Sequence, residues 1–291
     1  MREALHQAEQ RLRMAGVGSP GTDACVLMAH ALGVPLSALP TRFRETLPAD
    51  VAGHFGELVQ RRCNREPLAY IVGDTEFMSL RFLCRPNVFI PRPDTETLVE
   101  AAVDVLRPLP GPVTVAELGT GSGCIAVSLA HYLPRARVIA TDLSPAALEL
   151  ARENAELHGV AERIQFLQGA DLEPLRQAGL LDQITALVCN PPYIPQGEIA
   201  ELEPEVGRAE PKLALDGGMD GMDFYRRVLP QLAALPRLIL AAFEFGVGQE
   251  EALAALARTH LPGWRVEILP DLAHLPRVLR ATAPGAPVAG K

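Results

Sequence analysis

The chain has 291 residues, 48% of them hydrophobic and 21% charged, which allows a sizeable core and two domains. Its formal net charge of −8 argues against a protein whose main work is gripping nucleic acid with surplus lysine and arginine. No charged-then-apolar leader opens it, and its most apolar region, residues 228–242, is interrupted by Pro230, Pro236 and Arg237, so a cytoplasmic protein without a membrane span is expected. Cys25, Cys63, Cys84, Cys124 and Cys189 are odd in number and widely spaced, with no Cys-x-x-Cys pair, and read as reduced core thiols. No metal is assigned.

In chain order, Leu5, Ala8, Leu12 and Ala15 recur at helical spacing until Gly16, Gly18 and Pro20 break the pattern. A second helix is expected over residues 22–32, with Ala24, Leu27 or Met28, and Ala31 inward. A third carries Val51, Phe55 and Leu58 and ends near Cys63. His6, His30 and His54 are isolated, so these first residues read as a helical recognition module without catalytic groups. Between residues 75 and 92 the pattern changes to a hairpin around Ser79, then Val88-Phe89-Ile90. The prolines of Ile90-Pro91-Arg92-Pro93-Asp94-Thr95-Glu96 hold an extended arm that exposes Arg92, up to a helix capped by Asp94.

From Val113 strand and helix patterns alternate, the mark of a parallel sheet covered on both faces. Strand 113–118 runs into Gly119-Thr120-Gly121-Ser122-Gly123 and a helix over 124–133. Glycines there let the backbone turn sharply and approach a ligand above a helix N-terminus. Strand 137–141 ends at Asp142, with Ser144 and Pro145 fitting N-cap and N1, and strand 164–168 leads to Asp171. Strand 184–189 runs into Asn190-Pro191-Pro192-Tyr193, where two prolines must stop it and expose an amide, proline carbonyls and a ring. Taken alone this is either an amide grip or a mere strand terminator. Its convergence with the glycine turn, Asp142 and Asp171 on one sheet edge favours a site. Residues 194–211 are acidic and irregular, suited to a lid. A helix near Gly221, strands over 238–245, 264–269 and 277–281, and a helix over 249–260 follow.

A dinucleotide fingerprint needs its third glycine one position later than Gly123, and the spacing Glu117-Leu118-Gly119-Thr120-Gly121-Ser122-Gly123 resembles an S-adenosylmethionine site. With Asn190 to Tyr193, the chain resembles enzymes that methylate planar nitrogens. The longer set is more specific: Glu66-Pro67-Leu68-Ala69-Tyr70-Ile71-Val72-Gly73, Glu76-Phe77, the Ile90 to Glu96 arm, Glu210-Pro211 and Asp216-Gly217-Gly218. Over nearly its whole length the chain resembles the peptide chain release factor N(5)-glutamine methyltransferases, the PrmC/HemK family.

The resemblance implies an α/β fold: a Rossmann-like class I S-adenosylmethionine-dependent methyltransferase sheet, with a small N-terminal helical domain joined by a β-hairpin. The expected organisation is a helical substrate-recognition domain over 1–74, a hairpin linker over 75–93, a methyltransferase domain over 94–283 and a disordered tail over 284–291. The implied reaction moves a methyl group from S-adenosyl-L-methionine, leaving S-adenosyl-L-homocysteine, to the glutamine of a release factor's Gly-Gly-Gln loop. Asn190, Pro191 and Tyr193 are the expected catalytic residues, and Phe89, Pro91, Arg92 and Pro192 complete the substrate side. Glu117, Gly119, Thr120, Gly121, Gly123, Asp142, Leu143, Asp171, Leu172 and Asn190 are the expected cofactor residues. Glu117, Asp94 and Leu172 depart from the family pattern, which often has Asp, Glu and an aromatic there. The expected partner is a release factor, with no direct nucleic-acid or membrane contact, and the expected state a monomer. A ribosomal-protein glutamine methyltransferase would differ around the arm, and an adenine-N6 DNA methyltransferase should bring a basic target-recognition region.

Overall fold

The structure, a computed structural model, describes residues 1–287. The chain divides into two compact units, one of Met1–Asp74 with Glu203–Ala209, the other of Thr75–Leu202 with the chain from Glu210 onward. Helices Arg2–Met14, Pro20–Leu32 and Ala49–Cys63 form the first unit and bury one face each, through Ala8, Leu12, Leu27, Met28, Phe55 and Leu58. Both Leu27 and Met28 point inward. Pro20 opens the second helix rather than merely ending the first, because a proline at N1 gives up an N–H that has no partner there anyway. Two further short helices, Leu39–Arg42 and Leu68–Val72, are too brief to leave a periodic signal. Within this unit Arg62 bonds Asp23 and Glu205 at 2.7 Å each, and Arg65 meets Glu205 at 2.5 Å. Burial raises the Glu205 carboxyl, but hydrogen bonds from Arg65 and Arg62 outweigh it and hold the group below its ordinary range.

The second unit opens with a hairpin, β1 (Asp74–Phe77) and β2 (Leu80–Leu83). Expected as a connector, the hairpin packs into the core of the unit through Phe77 and Phe82. Leu83 N–H donates to Asn154 and the Tyr132 hydroxyl donates to the Met78 carbonyl. Val88 to Ile90 is not a strand. The α-helix begins at Glu96 rather than at an Asp94 cap. Pro93–Thr95 form a 3-10 turn first, leaving Asp94 exposed and 3.3 Å from Arg277.

The main sheet comprises β3 (Val113–Leu118), β4 (Ala136–Asp142), β5 (Ile164–Gln168), β6 (Ala186–Cys189), β7 (Leu240–Glu244), β8 (Arg265–Pro270) and β9 (Pro276–Thr282), in the order β5-β4-β3-β6-β7-β9-β8. Its strands read as apolar runs because both faces are covered. Val115 and Val138 face one core cluster with helix Glu96–Leu106, while Ala116 and Ile139 face the other with helices Asp223–Leu232 and Glu250–His260. Only β9 runs against the rest, inserted between β7 and β8. The turn 271–275 is too short for a parallel crossover, so β8 and β9 pair as a hairpin. The order reverses at β3, which places a crevice at the carboxyl ends of β3 and β6.

Among the described residues no single helix is long and apolar enough to cross a membrane. Of the expected tail, Ala286 N–H closes a turn onto the Ala283 carbonyl, and residues 288–291 lie outside the described residues.

Candidate active site

β3 ends at Leu118, and the chain then turns through Gly119, Gly121 and Gly123, all at positive φ (72°, 55° and 80°). A Cβ at Gly119 or Gly121 would meet no atom within 4 Å, so these two face open space. Gly123 differs: its Cβ would stand 2.9 Å from that of Ala151, so this glycine lets two helices approach. The turn is pinned from the side. Thr120 N–H donates to the Thr141 carbonyl at 2.8 Å, and Gly121 N–H to Asp142 Oδ2 at 2.8 Å. Asp142 Oδ1 accepts from Ser144 N–H at 2.8 Å. Burial raises the Asp142 carboxyl, with these backbone donors opposing it.

Glu117 is buried beneath the turn, with Oε2 accepting from the Thr120 hydroxyl at 2.6 Å. Burial pushes its pKa up to about 8, against that hydrogen bond. Asp142 adds to that rise, and a hydrogen bond from the Ala126 backbone opposes it. A buried acid below a pair of open glycines suits a ligand that brings positive charge, as S-adenosylmethionine does, because that charge favours the ionised carboxylate.

Leu143 is 49% exposed, whereas Leu172 is 1% exposed and packs in the core, which leaves it almost no surface to offer a ligand. Asp171, at φ 50°, accepts from Arg227 Nε at 2.9 Å and Nη2 at 3.2 Å.

β6 delivers Asn190 next to the cradle, since Ala116 and Glu117 pair with Leu187 and Val188. Asn190 Nδ2 donates to the Thr95 hydroxyl oxygen at 3.1 Å. Cys189 is core: its thiol donates to the Leu118 carbonyl at 2.9 Å, and burial raises its pKa well above the ordinary value. After Pro192 the chain pairs with the segment that follows the acidic stretch, Ile194 N–H to the Leu215 carbonyl and Gly217 N–H to the Ile194 carbonyl. Gly217 and Gly221 make this possible. A Cβ at Gly217 would lie 2.8 Å from Tyr193 Cα, and one at Gly221 2.1 Å from the Tyr193 carbonyl oxygen. The Tyr193 hydroxyl is held at 3.3 Å by Glu244.

The proline arm is also held. Glu210, almost wholly buried, accepts from Ile90 N–H at 3.1 Å and pairs with Arg92, whose guanidinium lies 5.0 Å over the Phe89 ring. Pro91 is buried, and Arg92 is half-buried in its ion pair rather than free as the arm's sequence suggested. Sequence reasoning missed Thr95 and Glu244. Glu244 lay inside the expected strand 238–245, and β7 in fact ends on it; Thr95 carried no signal.

Residues 3–73 match a family model described as the PrmC N-terminal domain, and residues 115–208 one described as a methyltransferase domain. A release factor glutamine methyltransferase of Moorella thermoacetica is 48% identical over 274 residues, covering 94% of this chain and 95% of that protein. The protein of that name from Deinococcus radiodurans is 39% identical, covering 98% and 99%. A solved structure of the hMettl16 catalytic domain with the MAT2A 3'UTR hairpin 6 is 17% identical with a TM-score of 0.57, covering 69% of this chain and 75% of that one, and is alike in fold.

A glycine turn over a mostly parallel sheet, Glu117 and Asp142 at the carboxyl ends of β3 and β4, and a methyltransferase-domain match define a class I methyltransferase whose cofactor is S-adenosyl-L-methionine. The chain belongs to the release factor glutamine methyltransferase family.

Proposed function

We propose that this chain transfers a methyl group from S-adenosyl-L-methionine to the side-chain amide nitrogen of the Gly-Gly-Gln glutamine in peptide chain release factors. What carries the reading is Asn190: an amide at the end of β6, with its nitrogen side on Thr95 and its oxygen bonded to no described residue. An amide nitrogen is a weak nucleophile because its lone pair is delocalised into the carbonyl. Asn190 Oδ1 and the Pro191 carbonyl accept the two N–H bonds of the substrate amide, which aligns the nitrogen and returns electron density to it. Tyr193 and Pro192 pack against the flat group. An N-protonated methylated amide is a strong acid and loses its proton to water, so no dedicated base is needed. Bound S-adenosylmethionine supplies an electrophilic methyl on a sulfonium and leaves as S-adenosyl-L-homocysteine.

In this reading Glu117, Gly119, Thr120, Gly121, Gly123, Asp142, Leu143, Asp171, Leu172 and Asn190 hold the cofactor. Phe89, Pro91 and Arg92 present a wall to the substrate that Glu210 keeps in place. The helical residues 1–74 dock the release factor, residues 75–93 lead into the core of the second unit, and residues 94–283, apart from Glu203–Ala209, carry the chemistry. The net charge of −8 supports a protein rather than a nucleic-acid substrate. We expect a cytoplasmic monomer without a membrane partner, which sedimentation and cell fractionation check. Labelled S-adenosylmethionine offered with a release factor, a ribosomal protein and DNA should mark the release factor alone. Label entering the ribosomal protein or DNA instead would overturn the substrate assignment.

A further inference from the structure

Asn190 does not stand alone at the end of β6. Its Nδ2 donates to Thr95 Oγ1 at 3.1 Å, and Thr95 is 2% exposed in the 3-10 turn Pro93–Thr95. The Thr95 hydroxyl is the hydrogen-bonding neighbour that most offsets the burial of the Glu244 carboxylate. Glu244 ends β7 at 1% exposure. One of its oxygens accepts from the Tyr193 hydroxyl, while Oε2 is buried with no hydrogen-bond partner among the described residues, and the spare proton of the buried Thr95 hydroxyl suits it.

From this we infer that Glu244 and Thr95 are positioning residues that set which face of the Asn190 amide meets the substrate, a deepening that rests on the function proposed above. The chemistry gives the chain its direction. An ionised carboxylate only accepts, so the Thr95 hydroxyl turns its proton toward Glu244. Its oxygen is then an acceptor, which only the NH2 side of Asn190 can satisfy. Oδ1 is thereby turned to the substrate amide, where an acceptor is required. A flipped Asn190 would present two donors to two donors and expel the substrate nitrogen. The same carboxylate holds the Tyr193 hydroxyl, so one buried acid orients both side chains of the motif.

The test compares wild type, Thr95→Val, Thr95→Ser and Glu244→Gln for methyl transfer to a release factor, alongside cofactor affinity and thermal unfolding. Valine keeps the shape and removes the hydroxyl, so kcat should fall roughly ten- to a hundredfold with cofactor affinity kept, and serine should restore most of it. Glutamine at 244 can donate as well as accept, so Thr95 loses its fixed direction and kcat should fall in the same range. Full turnover by a folded Thr95→Val protein would overturn the relay, as would a serine variant no better than valine. If the valine protein unfolds, the serine and glutamine variants decide alone: a glutamine variant with wild-type kcat overturns the inference. Failure of the wild type itself to modify the release factor would overturn the functional reading, and this inference with it.

Discussion

Asn190→Ala removes the acceptor that the substrate nitrogen needs and leaves the glycine turn intact. Turnover should drop on the order of 10²-fold with cofactor affinity held, as calorimetric titration would register. Lost cofactor binding with normal turnover per bound cofactor would contradict the amide role. Glu244 adds a pH dependence. Burial raises its pKa to about 7 against hydrogen bonds from Thr95 and Tyr193 and the charge of Arg277, with Asp94 adding to the rise. Cys124, Cys189 and Tyr225 also feel its charge, but burial keeps all of them neutral across this range. Since the relay needs the carboxylate, kcat should rise through about pH 7, and Glu244→Gln should flatten that limb. Stability moves the other way: the folded state keeps a proton that the unfolded chain has shed, so this group's contribution falls as pH rises toward its folded pKa. A limb at the same pH in Glu244→Gln would assign it elsewhere. At this scale Asn190 was legible because two prolines mark a strand end, and Asp142 because of its interval from the glycines. Thr95 was not: a hydroxyl becomes an amide's partner only once the turn after the arm and the end of β6 are side by side.

At the scale of elements, the exit of β6 depends on a second strand of chain passing close to it. Gly221 at φ 76° lies where a Cβ would strike the Tyr193 carbonyl oxygen and Gln249 Nε2 at 2.3 Å. Gly221→Ala should cost about 1–3 kcal/mol and lower turnover by moving Tyr193, which urea unfolding and steady-state assays read together. An unchanged melt and turnover would show that the loop yields freely. In the helical unit, Arg62→Met would leave Asp23 without its buried partner and Glu205 with Arg65 alone. The expected loss is about 3–5 kcal/mol, and one below ~1 kcal/mol would mean that water reaches the cluster. Glu205, held below its ordinary pKa, contributes most above that range and loses its contribution as acid protonates it. Long elements were legible here because periodicity needs several turns to speak. The turn at Pro93–Thr95 and the helix Leu68–Val72 were too short, and the antiparallel sense of β9 followed from a loop length rather than from its own residues.

For the whole molecule, alternation of strand and helix from Val113 onward announced the sheet, and Glu117 and Asn190 stand at the ends of β3 and β6, the two strands between which the order reverses. What alternation could not announce was the traffic of long-range partners: Glu210 on Ile90 and Arg92, Glu244 on Tyr193, and Glu205 grouped with the helical unit. These join residues far apart in sequence through single carboxylates, and a lone acid in an acidic stretch gives no sign of its partner. The central claim is that the Asn190 site methylates a glutamine amide presented by a release factor. Fragment mass spectrometry of a release factor incubated with the protein and S-adenosylmethionine tests it most directly. One methyl group should be added to the Gly-Gly-Gln glutamine, and none with Asn190→Ala; a methyl group on any other residue, or a factor left unmodified by the wild-type protein, would contradict that claim.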